Sequence, residues 1–216
     1  VRSGTRTRNA GALADRENEI ALPGGAATDA ELLAACAGGQ AEALGVLFDR
    51  HHRAVFRFVA RLSGTDQRDV DDLTQLTFIR VGQSANSFSG RSSVRSWIFA
   101  IAGHVVRDHI RAEVRRRNLV QSAANGPRAD PDRPDDAVEG VQALALFTSA
   151  LAALSHDLRV AFVMCEIEDT PGKDAAVALG IPEGTLWRRL HEARRILMAA
   201  IREPVPGSKR EANEHS

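Results

Sequence analysis

Residues Ser87 to Arg117 read SFSGRSSVRSWIFAIAGHVVRDHIRAEVRRR, and this stretch decides the fold. It opens with a short polar loop, Ser87 to Ser93, made of turn formers and small hydroxyls. Apolar residues then recur at Val94, Ile98, Ile101 and Val105, three or four apart, which places one stripe of a helix against a core. Arg107, Arg111 and Arg115 stand at i, i+4 and i+8 and line another side. Between Arg91 and Arg117 there are seven arginines against Asp108 and Glu113. A helix basic along one side, starting beside a loop with an aromatic ring at each end (Phe88 and Trp97), suits a nucleic-acid backbone and unstacked bases. The plainer reading makes Trp97, Phe99 and Ile101 simple core, and Arg115–Arg116–Arg117 a solvated helix end favoured by the C-terminal dipole.

Toward the N-terminus, Asp66 to about Gly82 is a helix with acids crowded into its first turns, where they complement the dipole. Ala41 to about Leu62 is a longer one, with an apolar stripe of Leu44, Leu47, Phe48, Val55, Phe58, Val59 and Leu62. Asp29 is the expected N-cap of a first helix carrying Leu32, Leu33 and Cys36, which stops at Gly38–Gly39. Residues 1–28 are rich in Arg, Gly and Ala without periodicity. They are expected to be a disordered extension, and they lack the apolar segment of a secretory signal.

Toward the C-terminus, residues 118–139 carry three prolines and five acids. That composition predicts a flexible acidic linker. Two helical patterns follow, Val141 to Leu154 and Leu158 to Ile167, the second capped by Ser155 or Asp157. Then comes DTPGKDAAVALGIPEGTLWRRLHEARRILMAAI, Asp169 to Ile201. Thr170 is read as a cap, Pro171 as a first helical residue, and Gly180 as the turn. Pro182 opens a second helix with Leu186, Leu190, Ala193 and Leu197 inward. This is a helix-turn-helix. Its outer face is where such a motif reads base edges and phosphates in a major groove. Residues 203–216 form a polar tail. The fold class is therefore all-α, two small helical domains (29–117 and 140–202) joined by a flexible linker.

The whole chain of 216 residues has zero formal net charge and 44% apolar content, so basic segments are offset by acidic ones rather than forming a coat. Cys36 and Cys165 lie far apart in helical patterns and are expected to be small core residues of a cytoplasmic protein, not a disulfide. No apolar run is long enough to span a bilayer. His51, His52, His104 and His109 lack ligand spacing, so no metal and no cofactor is expected. No paired carboxylates, nucleophile–base set or phosphate-cradling glycine loop appears at usable spacing, which argues against an enzyme and leaves no catalytic residue to name.

On the phrases LFDRHHRAVFRFVARLSG, VDDLTQLTFIRV, FSGRSSVRSWIFAIAGHVVRDHIR and GIPEGTLWRRLHEARRIL, in this order, the chain closely resembles the extracytoplasmic-function (ECF) sigma factors. These are small sigma-70-family subunits that direct bacterial RNA polymerase to promoters. The resemblance runs from about Asp29 to Ile201, with the family's region 2 first and region 4 last. It implies that Asp71, Asp72, Gln75, Leu76 and Phe78 lie in the segment that docks on the clamp helices of the polymerase largest subunit, and that the protein also meets the polymerase flap. It implies a −10 surface of Phe88, Arg91, Ser92, Ser93, Arg95, Trp97, His104, Arg107 and Arg111, which captures a flipped non-template base. It implies a −35 reader of Glu183, Gly184, Thr185, Arg188, Arg189, His191, Glu192 and Arg195. An anti-sigma protein is the further partner that the resemblance implies.

This sequence departs from the family pattern at several points. Leu76 stands where an acid is usual, Ala100, Gly103 and His104 where Arg- and Asn-like residues are common, and Trp187 where a polar residue is. Gly103 inside a helix suggests a close approach, and the Trp187 ring is expected to pack on the preceding helix. The competing class is a stand-alone helix-turn-helix regulator, which has no need of VDDLTQLTF or FSGRSSVRSW.

Overall fold

The computed structural model describes residues 27–64, 67–123 and 139–202. Helix α1 is Asp29–Ala37, α2 Ala41–Ser63 and α3 Gln67–Ser84, followed by a 3₁₀ turn, Ala85–Ser87. Helix α4 is Val94–Ala123, α5 Glu139–Ala153 and α6 His156–Phe162, which runs into a π-helical turn, Val163–Ile167. Helices α7, Gly172–Leu179, and α8, Glu183–Arg202, complete the order. No strand occurs among the described residues. The expected extension, most of the linker and the tail lie outside them.

Helices α1 to α4 form the first domain because each carries a single apolar stripe that only the others can cover. Leu47, Phe58 and Leu62 of α2, Val81 of α3, and Phe99 and Val106 of α4 are wholly buried. The Phe58 and Phe99 rings stack at 4.6 Å. In the second domain, Leu186, Leu190 and Ala193 of α8 are sealed against α5, α6 and α7. Gly180 ends α7 at φ 65°, and the Ile181 and Gly180 N–H groups donate to Ala176 O at 3.0 Å and Val177 O at 3.1 Å. This is the paired C-cap that a left-handed glycine permits, and it turns the chain sharply into α8.

Three helix ends differ from the sequence reading. Thr28, not Asp29, caps α1: its hydroxyl accepts the Glu31 N–H, while the Glu31 carboxylate accepts the Thr28 N–H at 2.7 Å. Thr-x-x-Glu is the capping-box spacing, and it leaves Asp29 free to bind Arg50 at 2.9 Å and His51 at 2.7 Å. Pro171, not Thr170, is the cap residue of α7, since its extended ψ of 134° keeps it outside the helix. Helix α4 continues through Ala123, so the first six residues of the expected linker, from Asn118 on, are helical.

The two domains pack on each other. A Cβ on Gly103 of α4 would meet Val160 Cγ2 of α6 at 3.4 Å, an ordinary van der Waals contact, so the helices meet here at a distance that does not itself require the glycine. His156 Nε2 lies 2.9 Å from Gly103 O. Arg159 of α6 donates to Leu62 O of α2 at 2.7 Å and to Leu154 O at 3.0 Å. These links span 53 and 97 residues, which is why no local pattern announces them.

Candidate nucleic-acid interface

The loop before α4 is anchored at both ends. The Ser93 hydroxyl accepts the Ser96 N–H at 3.2 Å and lies 2.6 Å from the Ser96 hydroxyl, so Ser93 caps α4. At the other end the Phe88 ring meets Trp97 edge-on, with centroids 5.5 Å apart. Both rings are half-buried, so each packs on the domain while part of it stays in contact with solvent. Gly90 takes φ 71°, and Arg91 beside it is exposed. Ser92 is half-buried and Ser93 exposed.

Arg95 leaves the first turn of α4, lies 5.0 Å over the Phe99 ring, and donates to Glu168 Oε2 at 2.7 Å. Arg111 is exposed, whereas Arg107 is half-buried. His104 and Arg107 line the crevice between α4 and α6 together with His156, Asp157 and Arg189. The structure thus brings Phe88, Arg91, Ser92, Ser93, Arg95 and Trp97 together at the head of α4. His104, Arg107 and Arg111 stand farther down the helix, the first two against the second domain.

On α8 the buried stripe fixes which residues face outward. Glu183, Gly184, Arg188, His191 and Arg195 are exposed, and Thr185 and Glu192 half-buried. Two of these cations are already paired: Arg189 with Asp157 at 2.7 Å, and Arg195 with Glu192 at 2.6 Å. The Trp187 ring reaches back over the start of α7, as expected, and a Cβ on Gly172 would lie 2.9 Å from Trp187 Cζ2. Trp187 nonetheless stays 52% exposed.

The third surface is the outer face of α3. Asp71, Asp72, Gln75 and Leu76 are exposed there, and Ile79 continues the strip at 52% exposure. Leu73 is turned inward as expected. Phe78 is not on this face: it is only 3% exposed and packs edge-on to Phe48 at 4.9 Å, so its side chain is core. The helical period places positions 71, 72, 75, 76 and 79 on one side and 70, 73, 74, 77 and 78 on the other.

Residues that sequence reasoning passed over stand between the domains. Glu168, 6% exposed, follows the π-helical turn and binds both Arg95 and Arg61, the latter at 2.9 Å. Asp174 Oδ2 accepts the Ser93 N–H at 3.2 Å. Only the long-range fold creates these pairs. Among the described residues no group of His, Cys, Asp and Glu is placed to hold a metal ion, both cysteines are free, and no helix is long and apolar enough to cross a membrane.

A four-helix domain whose last helix is basic along one side, packed against a helix-turn-helix, defines a class: a helical protein of the transcription-factor type. The family models specify it further. Sigma-70 region 2 matches residues 47–116, and Sigma-70, region 4 matches residues 144–197. The ECF RNA polymerase sigma factor SigC of Mycobacterium tuberculosis is 38% identical over 168 residues, covering 78% of this chain and 88% of that protein. Among solved structures, CnrH in complex with the cytosolic domain of CnrY is 27% identical with a TM-score of 0.57, covering 80% of this chain and 96% of that one. The sigma factor RpoE of Bartonella quintana, crystallised with the anti-sigma factor NepR, is 25% identical with a TM-score of 0.54, covering 73% and 95%. The chain belongs to the ECF sigma factors of bacterial RNA polymerase. It is a transcription-initiation subunit rather than a stand-alone regulator.

Proposed function

We propose that the exposed face of α3 docks on core polymerase, that the loop from Phe88 to Ser93 with the head of α4 captures the −10 strand, and that α8 reads the −35 element. The observation that carries this reading is the match to both sigma regions in family order, with a solvent-facing surface on each. Asp71, Asp72 and Gln75 offer polar contacts on α3, and Leu76 with Ile79 supplies the apolar centre that such an interface needs. The half-buried Phe88–Trp97 pair offers aromatic surface to an unstacked base, and stacking on such a ring is worth about 1–3 kcal/mol against an unstacking cost of a few kcal/mol. Melting is therefore close to balance, and the polymerase must hold the open strand. Arg188 and its neighbours set register through phosphates, while base edges set sequence.

The activity is selective binding in the cytoplasm beside polymerase. Holding two weak readers at a fixed separation multiplies their contributions. An anti-sigma protein is the expected regulator, since both solved relatives described above were captured with a protein bound.

The test is run-off transcription with purified core polymerase on a pool of upstream fragments from the host genome. Discrete transcripts that depend on this chain, with starts at a constant distance from two shared sequence blocks, are the expected result. A chain that neither binds core nor yields a transcript would overturn the reading.

A further inference from the structure

We infer that the crevice between α4, α6 and α8 binds a small phosphate, inorganic or carried as a monoester, through Arg107, Arg189, His104 and His156. These four side chains and Asp157 form its polar wall, and the rest of the lining is apolar. The volume is about 120 Å³. At about 30 Å³ per water, that is room for one tetrahedral oxyanion and little else, and too little for a nucleotide. The charge is unbalanced, since two guanidinium groups face one carboxylate. Arg189 Nη2 already holds Asp157 Oδ2 at 2.7 Å, which leaves Arg107 as the surplus cation. Arg107 is half-buried, its Nε is shielded from solvent, and no acceptor among the described residues meets it. A shielded donor without a partner is costly, and an oxyanion satisfies a guanidinium fork through paired, charge-assisted bonds.

The histidines supply the remaining donors. The bond from His156 Nε2 to Gly103 O fixes the neutral ring with its proton on Nε2, and Nδ1 is buried with no partner. Burial and then the Arg107 charge hold the His104 imidazole below the ordinary histidine value, and burial does the same for His156. The charges facing His104 are Arg107 and Asp108 of its own helix and Asp157 of α6, and those facing His156 are Asp157, Arg159 and Arg107. A phosphate placed among them adds negative charge, which favours the protonated rings. Binding therefore takes up protons. Asp157 selects the anion: a carboxylate only accepts, so a monoprotonated phosphate can donate its O–H to it. Sulfate carries no such proton and sets a lone pair against the acid. The donors come from both domains, so a bound phosphate bridges α4 to α6 and α8.

The experiment is isothermal titration of the full chain with inorganic phosphate, glycerol 3-phosphate and sulfate at one ionic strength. It is run in two buffers of different ionisation enthalpy, with thermal melts alongside. One phosphate per chain is expected, with a heat that differs between the buffers because protons are taken up. Sulfate should bind about 10- to 150-fold more weakly, the range for one lost hydrogen bond to a charged group. Glycerol 3-phosphate binding as well as phosphate supports the site with a monoester as its ligand, and its exclusion supports the site for the free anion. Arg107→Gln should abolish saturable binding. Arg115→Gln removes the same charge two turns along α4, outside the crevice, and should leave Kd within about twofold. Asp157→Asn should erase the preference for phosphate over sulfate. No saturable binding, binding that survives Arg107→Gln, or equal affinity for the two anions in the unaltered chain would overturn the inference. So would a rise in Tm shared by both anions without a saturable site, which is the general effect of excluded salts. If Arg107→Gln does not fold, Asp157→Asn decides: a preference for phosphate that persists there sinks the site.

Discussion

Two single residues show how the packing is arranged, His156 between the domains and Gly172 within the second. Burial pushes the His156 imidazole below the ordinary histidine value, and the bond to Gly103 O only partly offsets this. The unfolded chain therefore binds the proton more readily than the folded one. Stability rests on the neutral ring, is fully present above about pH 6.5, and falls as pH drops toward the lower folded value. Denaturant midpoints measured from pH 8 to 5 should decline through that window, and His156→Gln should flatten the decline. The other residue is Gly172. A methyl group there would lie 2.9 Å from the Trp187 ring, so Gly172→Ala must displace the indole at a cost of about 1 kcal/mol, low because the ring is half in solvent. A Trp97→Phe background isolates Trp187, whose emission should shift to the red as the ring leaves α7. Only the Trp187 side of these contacts was legible in the sequence. Trp187 was conspicuous as an aromatic on a reading helix, but nothing local marked His156, whose partner lies 53 positions away.

At the scale of elements, the amphipathic stripes were read correctly because burial in this protein follows the helical period closely. On α8, Leu190 is sealed and Arg188 exposed. Leu190→Ala should cost about 2–5 kcal/mol and melt the second domain early. Arg188→Ala should shift stability by less than about 0.5 kcal/mol while weakening binding to −35 duplex and lowering the salt slope by about one. Thermal melts and affinities over a salt series separate the two. On α3 the analogous contrast is Asp72→Ala, expected to weaken capture of core polymerase in a pull-down without moving the melting temperature. What failed at this scale was Phe78, assigned to the docking face although the period of its own helix turns it toward Phe48. Helix ends failed by one residue where two capping groups stood adjacent, as with Thr28 and Asp29. The π-helical turn after α6 had no signal, since its extra residue matters only for aiming Glu168 at the first domain.

For the molecule as a whole, composition led to the expectation of two tethered domains and said nothing of how they pack. Arg159 joins α6 to the last turn of α2 through a carbonyl that the helix itself leaves unpaired. Arg159→Met should lower stability by about 2 kcal/mol, since bonds from a charged donor are lost. It should also split a single denaturation transition into two, visible when tryptophan emission and far-ultraviolet dichroism cease to coincide. No contact of this kind could be read from a local window, because each depends on two surfaces meeting across the interface.

The Glu168 contact bears on how such proteins can be recombined. Residues 139–202 look like a cassette, and exchanging them for the matching part of a relative is an obvious way to retarget the −35 specificity. In this chain the cassette also carries the acid that pairs with Arg61 and Arg95 and the carboxylate that accepts the Ser93 N–H. A hybrid lacking those acids leaves Arg61, Arg95 and the Ser93 amide without these partners, so the first domain is altered along with the specificity that was meant to change alone.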